Sequence, residues 1–122
     1  MLEQLAQQTQ AHLSLGTSKA VVARAALAAG AVIINDVTGG RGDPEMFALA
    51  AETRAAIVLM HIQGTPRTMQ LNPTYHDVVA EVAAFFLQQF ELAVPSGSDP
   101  LCLSFDPGFG FVNTAAQNLE LL

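Results

Sequence analysis

The chain has 122 residues, of which 51% are hydrophobic and 13% charged, which excludes a disordered protein and leaves apolar material for the core of one small domain. The net charge of −6, with only five scattered Lys and Arg residues, argues against binding nucleic-acid phosphates or docking on acidic membranes. A single cysteine, Cys102, excludes an internal disulfide framework and an all-cysteine metal site, and it fits a reducing compartment.

The first eight residues, Met1 to Gln8, have neither the basic n-region nor the sustained apolar stretch of a secretion signal. No run approaches the roughly 18 apolar residues of a membrane span. The expectation is a soluble, cytoplasmic protein without nucleic-acid or membrane partners.

Residues 1–8 read as the last turns of a helix. Leu13-Ser14-Leu15 is the first short apolar run and ends at Gly16-Thr17-Ser18-Lys19. An Ala-rich helix is expected from about Lys19 to Ala29, stopped by Gly30 as the residue just past its end. Ala31-Val32-Ile33-Ile34 is β-branched and wholly apolar, the pattern of a strand buried on both faces, and it ends in Asn35-Asp36. Asp43-Pro44-Glu45 opens a further helix, with Asp43 expected as its N-cap and Pro44 in its first position, running to about Thr53.

The third run, Ala56-Ile57-Val58-Leu59-Met60, ends at His61 and gives way to a long loop over residues 63–73, a length that is more often functional than not. A longer helix follows, from about Tyr75 to Leu92, in which Val78, Val79, Val82, Phe85, Phe86 and Phe90 recur at helical spacing. The turn at 95–100 breaks it. Leu101 to Phe105 is the fourth run, ending at Asp106-Pro107-Gly108, and a last helix begins near Thr114.

The repeating unit is strand, loop, helix. Such alternation implies βαβ crossovers and a parallel sheet, giving an α/β fold of four strands, four following helices and a helical piece before the first strand. Leu119, Leu121 and Leu122 form an apolar helix face with no following strand to cover it. A complete (β/α)8 barrel needs about 250 residues, so the chain reads as a partial TIM barrel, roughly half of one. Half-barrel pieces carry unpaired edge strands, which invite a homo-oligomer.

In such folds ligands bind at the C-terminal ends of the strands. Those ends here are Thr17/Ser18/Lys19, Asn35/Asp36, Met60/His61 and Asp106. Asp106 has the clearest chemistry, because an ionised carboxylate accepts two parallel N–H bonds from a guanidinium or an amino-pyrimidine edge; a turn-forming aspartate is the plain alternative. Asn35 carries a donor and an acceptor on one amide, which suits the edge of a heterocycle. Asp36 is either a second ligand group or a cap, and side-chain alternation keeps it from facing the same centre as Asn35. Gly108-Phe109-Gly110-Phe111 fails as a dinucleotide fingerprint because Asn113 replaces the third glycine. Phe109 or Phe111 would wall an aromatic ligand or belong to the core. Lys19 and Arg67 would meet anions or remain solvated, and His61 reads first as a satisfied structural histidine. His12, His61 and His76 have no metal-motif spacing, and no nucleophile elbow or phosphate-binding loop is present.

Four stretches taken together resemble dihydropteroate synthase: Ile33-Ile34-Asn35-Asp36-Val37-Thr38-Gly39, Asp43-Pro44-Glu45-Met46, Val58-Leu59-Met60-His61-Ile62-Gln63-Gly64-Thr65-Pro66-Arg67-Thr68-Met69-Gln70, and Asp106-Pro107-Gly108-Phe109-Gly110-Phe111. The resemblance covers residues 1–122 as one partial pterin-binding domain and implies strands three to six of the family's (β/α)8 barrel. It implies a transferase of folate biosynthesis that joins dihydropterin pyrophosphate to p-aminobenzoate, releases pyrophosphate and uses Mg²⁺. It also implies that Asn35 and Asp106 hydrogen-bond the pterin's amino-pyrimidinone edge, that Met60 lines the pterin pocket, and that Gly110 and Phe111 lie near the aminobenzoate side. No residue here is assigned a catalytic or metal-ligating role.

Two positions depart from the family pattern. Gly16 stands where the family's strand carries the Asp of Ile-Asp-Thr, and Val112-Asn113 stands where Gly-Lys is usual. The family's Mg²⁺-binding Asn, its second-strand loop and its later Lys and Arg-x-His are not among these residues, so the isolated chain is expected to have negligible synthase activity. The alternative reading is a non-catalytic pterin-binding or barrel-derived module that self-associates.

Overall fold

The computed structural model describes residues 1–63, 75–111 and 113–122. The long loop expected after the third strand, with Arg67, falls outside them beyond Gln63. In chain order the elements are α1 (Leu2–Gln8), β1 (Ser14–Gly16), α2 (Ala20–Ala28), β2 (Ile33–Asp36), α3 (Met46–Thr53), β3 (Ala56–Met60), α4 (Val78–Ala93), a 3₁₀ turn (Pro100–Cys102), β4 (Leu103–Asp106) and α5 (Ala115–Leu121). The strands form one parallel sheet in the order β1-β2-β3-β4. The alternation read from the sequence is therefore the architecture.

Each strand divides its side chains between two faces. Ile34, Ile57 and Leu59 face the helices and are at most 1% exposed. There they pack with Ala20 and Ala23 of α2, Met46, Leu49 and Ala50 of α3, and Ala93 of α4, while Leu103 and Phe105 close the cluster from β4. The many alanines let the helices lie close to the sheet. The register sets the opposite face in rows: Gly16, Asn35, Val58 and Ser104 are successive partners in one, and Met60 pairs with Asp106 in the next.

Several expectations shift. The fourth strand begins at Leu103 rather than Leu101, because Asp99 caps a 3₁₀ turn over Pro100–Cys102 that leaves Leu101 94% exposed, and the helix expected from Tyr75 begins at Val78 behind its Asp77 cap. The second strand begins at Ile33 rather than Ala31, because the Ala31 N–H is taken by the Ala26 carbonyl at the end of α2 and Val32 is 44% exposed. The ladder instead reaches its polar end, where the Asn35 carbonyl accepts the Thr17 N–H at 3.1 Å. Asp43 does not cap the helix that follows it, which starts at Met46 behind Glu45. Its carboxylate reaches across to the Ala20 N–H of α2 at 2.8 Å and also accepts from Glu45 N–H at 3.0 Å. These two donors hold the Asp43 carboxyl below the ordinary carboxylate range. Lys19 precedes α2 and offers it no side-chain acceptor, so the next β/α loop caps the helix from outside.

Gly30 does end α2 as expected, at φ +106°, and Ala6 of α1 sits where a Cβ would be. Asp77 caps α4 through the Ala80 N–H at 2.9 Å, and Thr114 with Gln117 forms a capping box at α5.

Leu59 is fully buried and central to the helix-side cluster. Leu59→Ala is expected to cost about 2–5 kcal/mol in urea unfolding, whereas Val79→Ala, at a position 48% exposed, should stay within about 0.5 kcal/mol.

Candidate functional site

The polar groups at the C-terminal strand ends divide by parity. Asn35 lies on the face away from the helices, between Gly16 and Val58 in register. Its Oδ1 is buried and has no hydrogen-bond partner. A buried amide oxygen without a donor costs about 1–3 kcal/mol, so it is a place where a ligand N–H would be favourable. Met60, 2% exposed, and half-buried Asp106 are direct partners one row nearer the strand ends. From strand spacing and rise, Asn35 and Asp106 lie roughly 12 Å apart at Cα, with Met60 between them on the same face.

Asp106 is held on two sides. Its Oδ1 accepts the Gly108 N–H at 2.8 Å, and its backbone carbonyl accepts the His61 N–H at 2.8 Å. Oδ2 has no donor among the described residues, so the turn-forming reading accounts for one oxygen and leaves the other for a ligand. Gly110, at φ +78°, has open space where a side chain would project, and Phe111 is 49% exposed beside it. The Phe111 N–H donates to the Gly108 carbonyl at 3.0 Å. The structure thus brings Asn35, Met60 and Asp106 to one face and places Gly110 and Phe111 on the loop above β4.

Asp36 takes the opposite course from Asn35, as the alternation required. It is fully buried, and its carboxylate accepts the Thr38 N–H at 2.8 Å, the Thr38 hydroxyl at 2.7 Å and the Gly40 N–H at 3.0 Å. It is a turn organiser and not a ligand group. The turn it builds needs Gly39 at φ +61°, where a Cβ would meet the Met60 carbonyl at 2.6 Å.

Arg41 was missed in the sequence, and Asn113, noted there only as a departure from two patterns, gains a structural role. Arg41 donates to the Thr38 carbonyl at 3.2 Å and the Ile62 carbonyl at 2.8 Å, and its guanidinium lies 5.1 Å from the Phe85 ring centre. It ties the β2 loop to the end of β3. Asn113 donates to the Pro107 carbonyl at 3.1 Å and closes the loop that carries Gly110 and Phe111. Their contacts have no local sequence signal, since both residues act through carbonyls that only the folded loops bring near.

His61 is buried, with Phe85 edge-on at 5.0 Å and Tyr75 at 5.9 Å between ring centres. It is a packed histidine, as expected, but not a satisfied one, because Nδ1 has no partner. Burial, with the Arg41 charge adding to it, lowers its pKa below 6.5.

Among the described residues, no three His, Cys, Asp or Glu side chains converge to hold a metal ion. Nor is any described helix long and apolar enough to cross a membrane. A cleft of about 440 Å³ between α2 and α3 opens at the other end of the strands, and Arg24 on its wall is spent on Glu52 at 2.9 and 3.1 Å.

Fold and site together define a class: a β/α barrel protein whose free polar groups gather at the C-terminal strand ends, away from the helix layer. The chain belongs to the pterin binding enzyme family, whose profile matches residues 1–122. It is 43% identical to the dihydropteroate synthase of Synechocystis sp. over 122 residues, all of this chain and 42% of that protein. It is 49% identical to that of Mycobacterium leprae over 112 residues, 90% of this chain and 39% of the other. Among solved structures, dihydropteroate synthase from Stenotrophomonas maltophilia with active site-bound imidazole superposes with a TM-score of 0.92 at 46% identity, covering 98% of this chain and 45% of that one. The Xanthomonas albilineans enzyme in complex with 7,8-dihydropteroate gives 0.86 at 42%, covering 98% and 42%. The chain thus spans less than half the length of these relatives and corresponds to four β/α units of their barrel.

The lowered pKa of His61 fixes a sign. The unfolded chain takes up a proton near pH 6.5 while the folded chain resists it, so stability falls as pH drops below about 6.5 and levels off below the folded value. His61→Phe should remove that component. Urea midpoints of the two proteins, compared between pH 7.5 and pH 5, should diverge in slope, with the variant flatter; equal slopes would show that His61 does not titrate in this way.

Proposed function

We propose that these residues form the pterin-binding floor of a dihydropteroate synthase, the cytoplasmic transferase of folate biosynthesis that joins dihydropterin pyrophosphate to p-aminobenzoate. The observation that carries the reading is the buried, unpartnered Asn35 Oδ1, on the same face of the sheet as Asp106, in a chain 43–49% identical to dihydropteroate synthases. Asn35 Oδ1 accepts a ring or amino N–H, and its amide NH₂ donates to the ring carbonyl. Asp106 accepts one N–H of the amino-pyrimidine edge through Oδ2, and the lone pair that Gly108 leaves on Oδ1 accepts the neighbouring N–H. Met60 lies between them as an apolar wall for the ring. Gly110 and Phe111 border the p-aminobenzoate, where an open glycine and an exposed aromatic ring suit a flat arylamine.

In the reaction, the C–O bond between the pterin methylene and pyrophosphate breaks, and pyrophosphate leaves with the bonding electron pair. The arylamine nitrogen then forms the C–N bond and loses a proton. Positive charge develops on the pterin as pyrophosphate departs, and a carboxylate held at its ring edge stabilises that charge. Gly108 and the β3 end fix Asp106 in place beforehand. Mg²⁺ belongs to the proposed reaction, but no step assigned to these residues runs through it.

A second reading, a pterin-binding module without catalysis, is favoured by Gly16. It puts no side chain beside Asn35, and nothing lies within 4 Å of where one would project.

Pterin titration of the 122-residue chain should show binding. Asn35→Ala and Asp106→Asn are each expected to weaken it about 10-fold or more, from loss of one charged or buried hydrogen bond. Gly16→Asp, which fits the open space, should strengthen it several-fold. Unchanged affinity in both Asn35→Ala and Asp106→Asn would overturn the assignment. Turnover above background with both substrates would remove the second reading.

A further inference from the structure

Asn35 and Asp106 are carried by different parts of the sheet. The β2–β3 register ends with Asp36 opposite Leu59, and the β3–β4 register ends one residue later, with Met60 opposite Asp106. His61 and Ile62 therefore lie past the last partner on the β2 side. On the β4 side one more bond follows, from the His61 N–H to the Asp106 carbonyl at 2.8 Å. The end of β3 thus holds Asp106 directly, while its hold on the β2 side needs another source.

Arg41 supplies it. Its Nε donates to the Thr38 carbonyl at 3.2 Å and a terminal nitrogen donates to the Ile62 carbonyl at 2.8 Å. Thr38 is fixed in turn by Asp36, through its N–H and its hydroxyl. The path from the end of β2 to Asp106 runs through Asp36, Thr38, Arg41, Ile62 and His61, each link a hydrogen bond or a peptide bond. Phe85 of α4 backs this path. Its ring carries the guanidinium at 5.1 Å, meets His61 edge-on at 5.0 Å and lies 2.5 Å from where a Cβ on Gly39 would stand. The residue type matters here. A guanidinium is a rigid fork that donates to two carbonyls at once and lies flat on a ring, whereas an ammonium is a single point charge on a flexible stem.

We propose that Arg41 is a positioning residue of the pterin site, one that fixes Met60 and Asp106 against Asn35 without itself touching the ligand. The choice of pterin rests on the function proposed above; the hold on Asp106 does not. A flat bicyclic ring is rigid, so it meets Asn35 and Asp106 together only when their spacing is right. Without the tie, the end of β3 samples more arrangements, and binding has to order them. Arg41 is exposed, so its removal opens no cavity in the core, and the loss falls on binding more than on folding.

A double-mutant cycle of pterin affinity tests this on the 122-residue chain. Arg41→Ala is expected to weaken binding about 5- to 10-fold when Asn35 is present. In the Asn35→Ala background it should weaken binding less than about 2-fold, because a ring held at Asp106 alone no longer depends on the spacing. Equal losses in both backgrounds, as a general loss of structure would give, overturn the proposal, and so does no loss in either. Amide hydrogen exchange reads the same tie with no ligand. In Arg41→Ala the His61 N–H should exchange roughly 10-fold faster, while the Leu59 N–H inside the ladder keeps its rate. Unchanged His61 exchange overturns the proposal whatever the titration gives. Faster His61 exchange in a chain that binds no pterin removes the pterin reading and leaves Arg41 as the residue that holds Asp106. Arg41→Lys keeps the charge and loses the fork, so it should still weaken binding and speed His61 exchange. It decides the matter if Arg41→Ala loses its fold, and wild-type behaviour in Arg41→Lys overturns the proposal.

Discussion

A strand in a parallel sheet must send each side chain to one face or the other, and this division governs the molecule. The helix face takes Ile34, Ile57, Leu59 and the fully buried carboxylate of Asp36. The opposite face takes Asn35, Val58, Met60 and Asp106. A one-residue slip of β2 would exchange Asn35 with Asp36 and bury an amide where the turn needs a carboxylate. The buried side therefore fixes the register, and the register positions the polar groups on the open side.

The β/α loops hold one another in that register. Asp43 caps the helix before its own, and Arg41 binds carbonyls of two loops while lying on a ring of α4. A buried carboxylate such as Asp36 is tolerable only when its lone pairs are filled. Here two N–H groups and a hydroxyl of one short turn fill them. The charge that would otherwise destabilise the core instead fixes the turn beneath the mouth.

Much of this was legible in the sequence, for a physical reason. Apolar runs of four or five residues ending in Asn-Asp, Met-His and Asp-Pro-Gly can satisfy both the core and the backbone only as parallel strands with polar ends. Alternation alone separated Asn35 from Asp36. What stayed hidden depended on contacts between loops distant in sequence. Asp43 followed by Pro44 satisfies every local rule for an N-cap, yet the Ala20 N–H, 23 residues earlier, is its partner. The polar end of β2 joins the ladder because Thr17 reaches Asn35, and no window of β2 alone contains that bond. His61 could be recognised as packed, but its unpartnered Nδ1 follows from the rings of Phe85 and Tyr75 around it.

Asp106 shows why a turn residue and a ligand residue need not be alternatives. A carboxylate has two oxygens, and the turn after β4 uses one of them. That bond restricts rotation of the side chain, so the second oxygen meets a ligand with less entropy left to lose. Asp36, by contrast, spends both oxygens on its own turn and has nothing left to offer. The distinction between two aspartates at two strand ends therefore lies in how many of their acceptors the loop consumes. The parity of the strand decides it first: Asp36 points into the helix layer, where two N–H groups and a hydroxyl of its own turn reach it, and Asp106 points to the opposite face, where among the described residues the Gly108 N–H alone reaches its carboxylate.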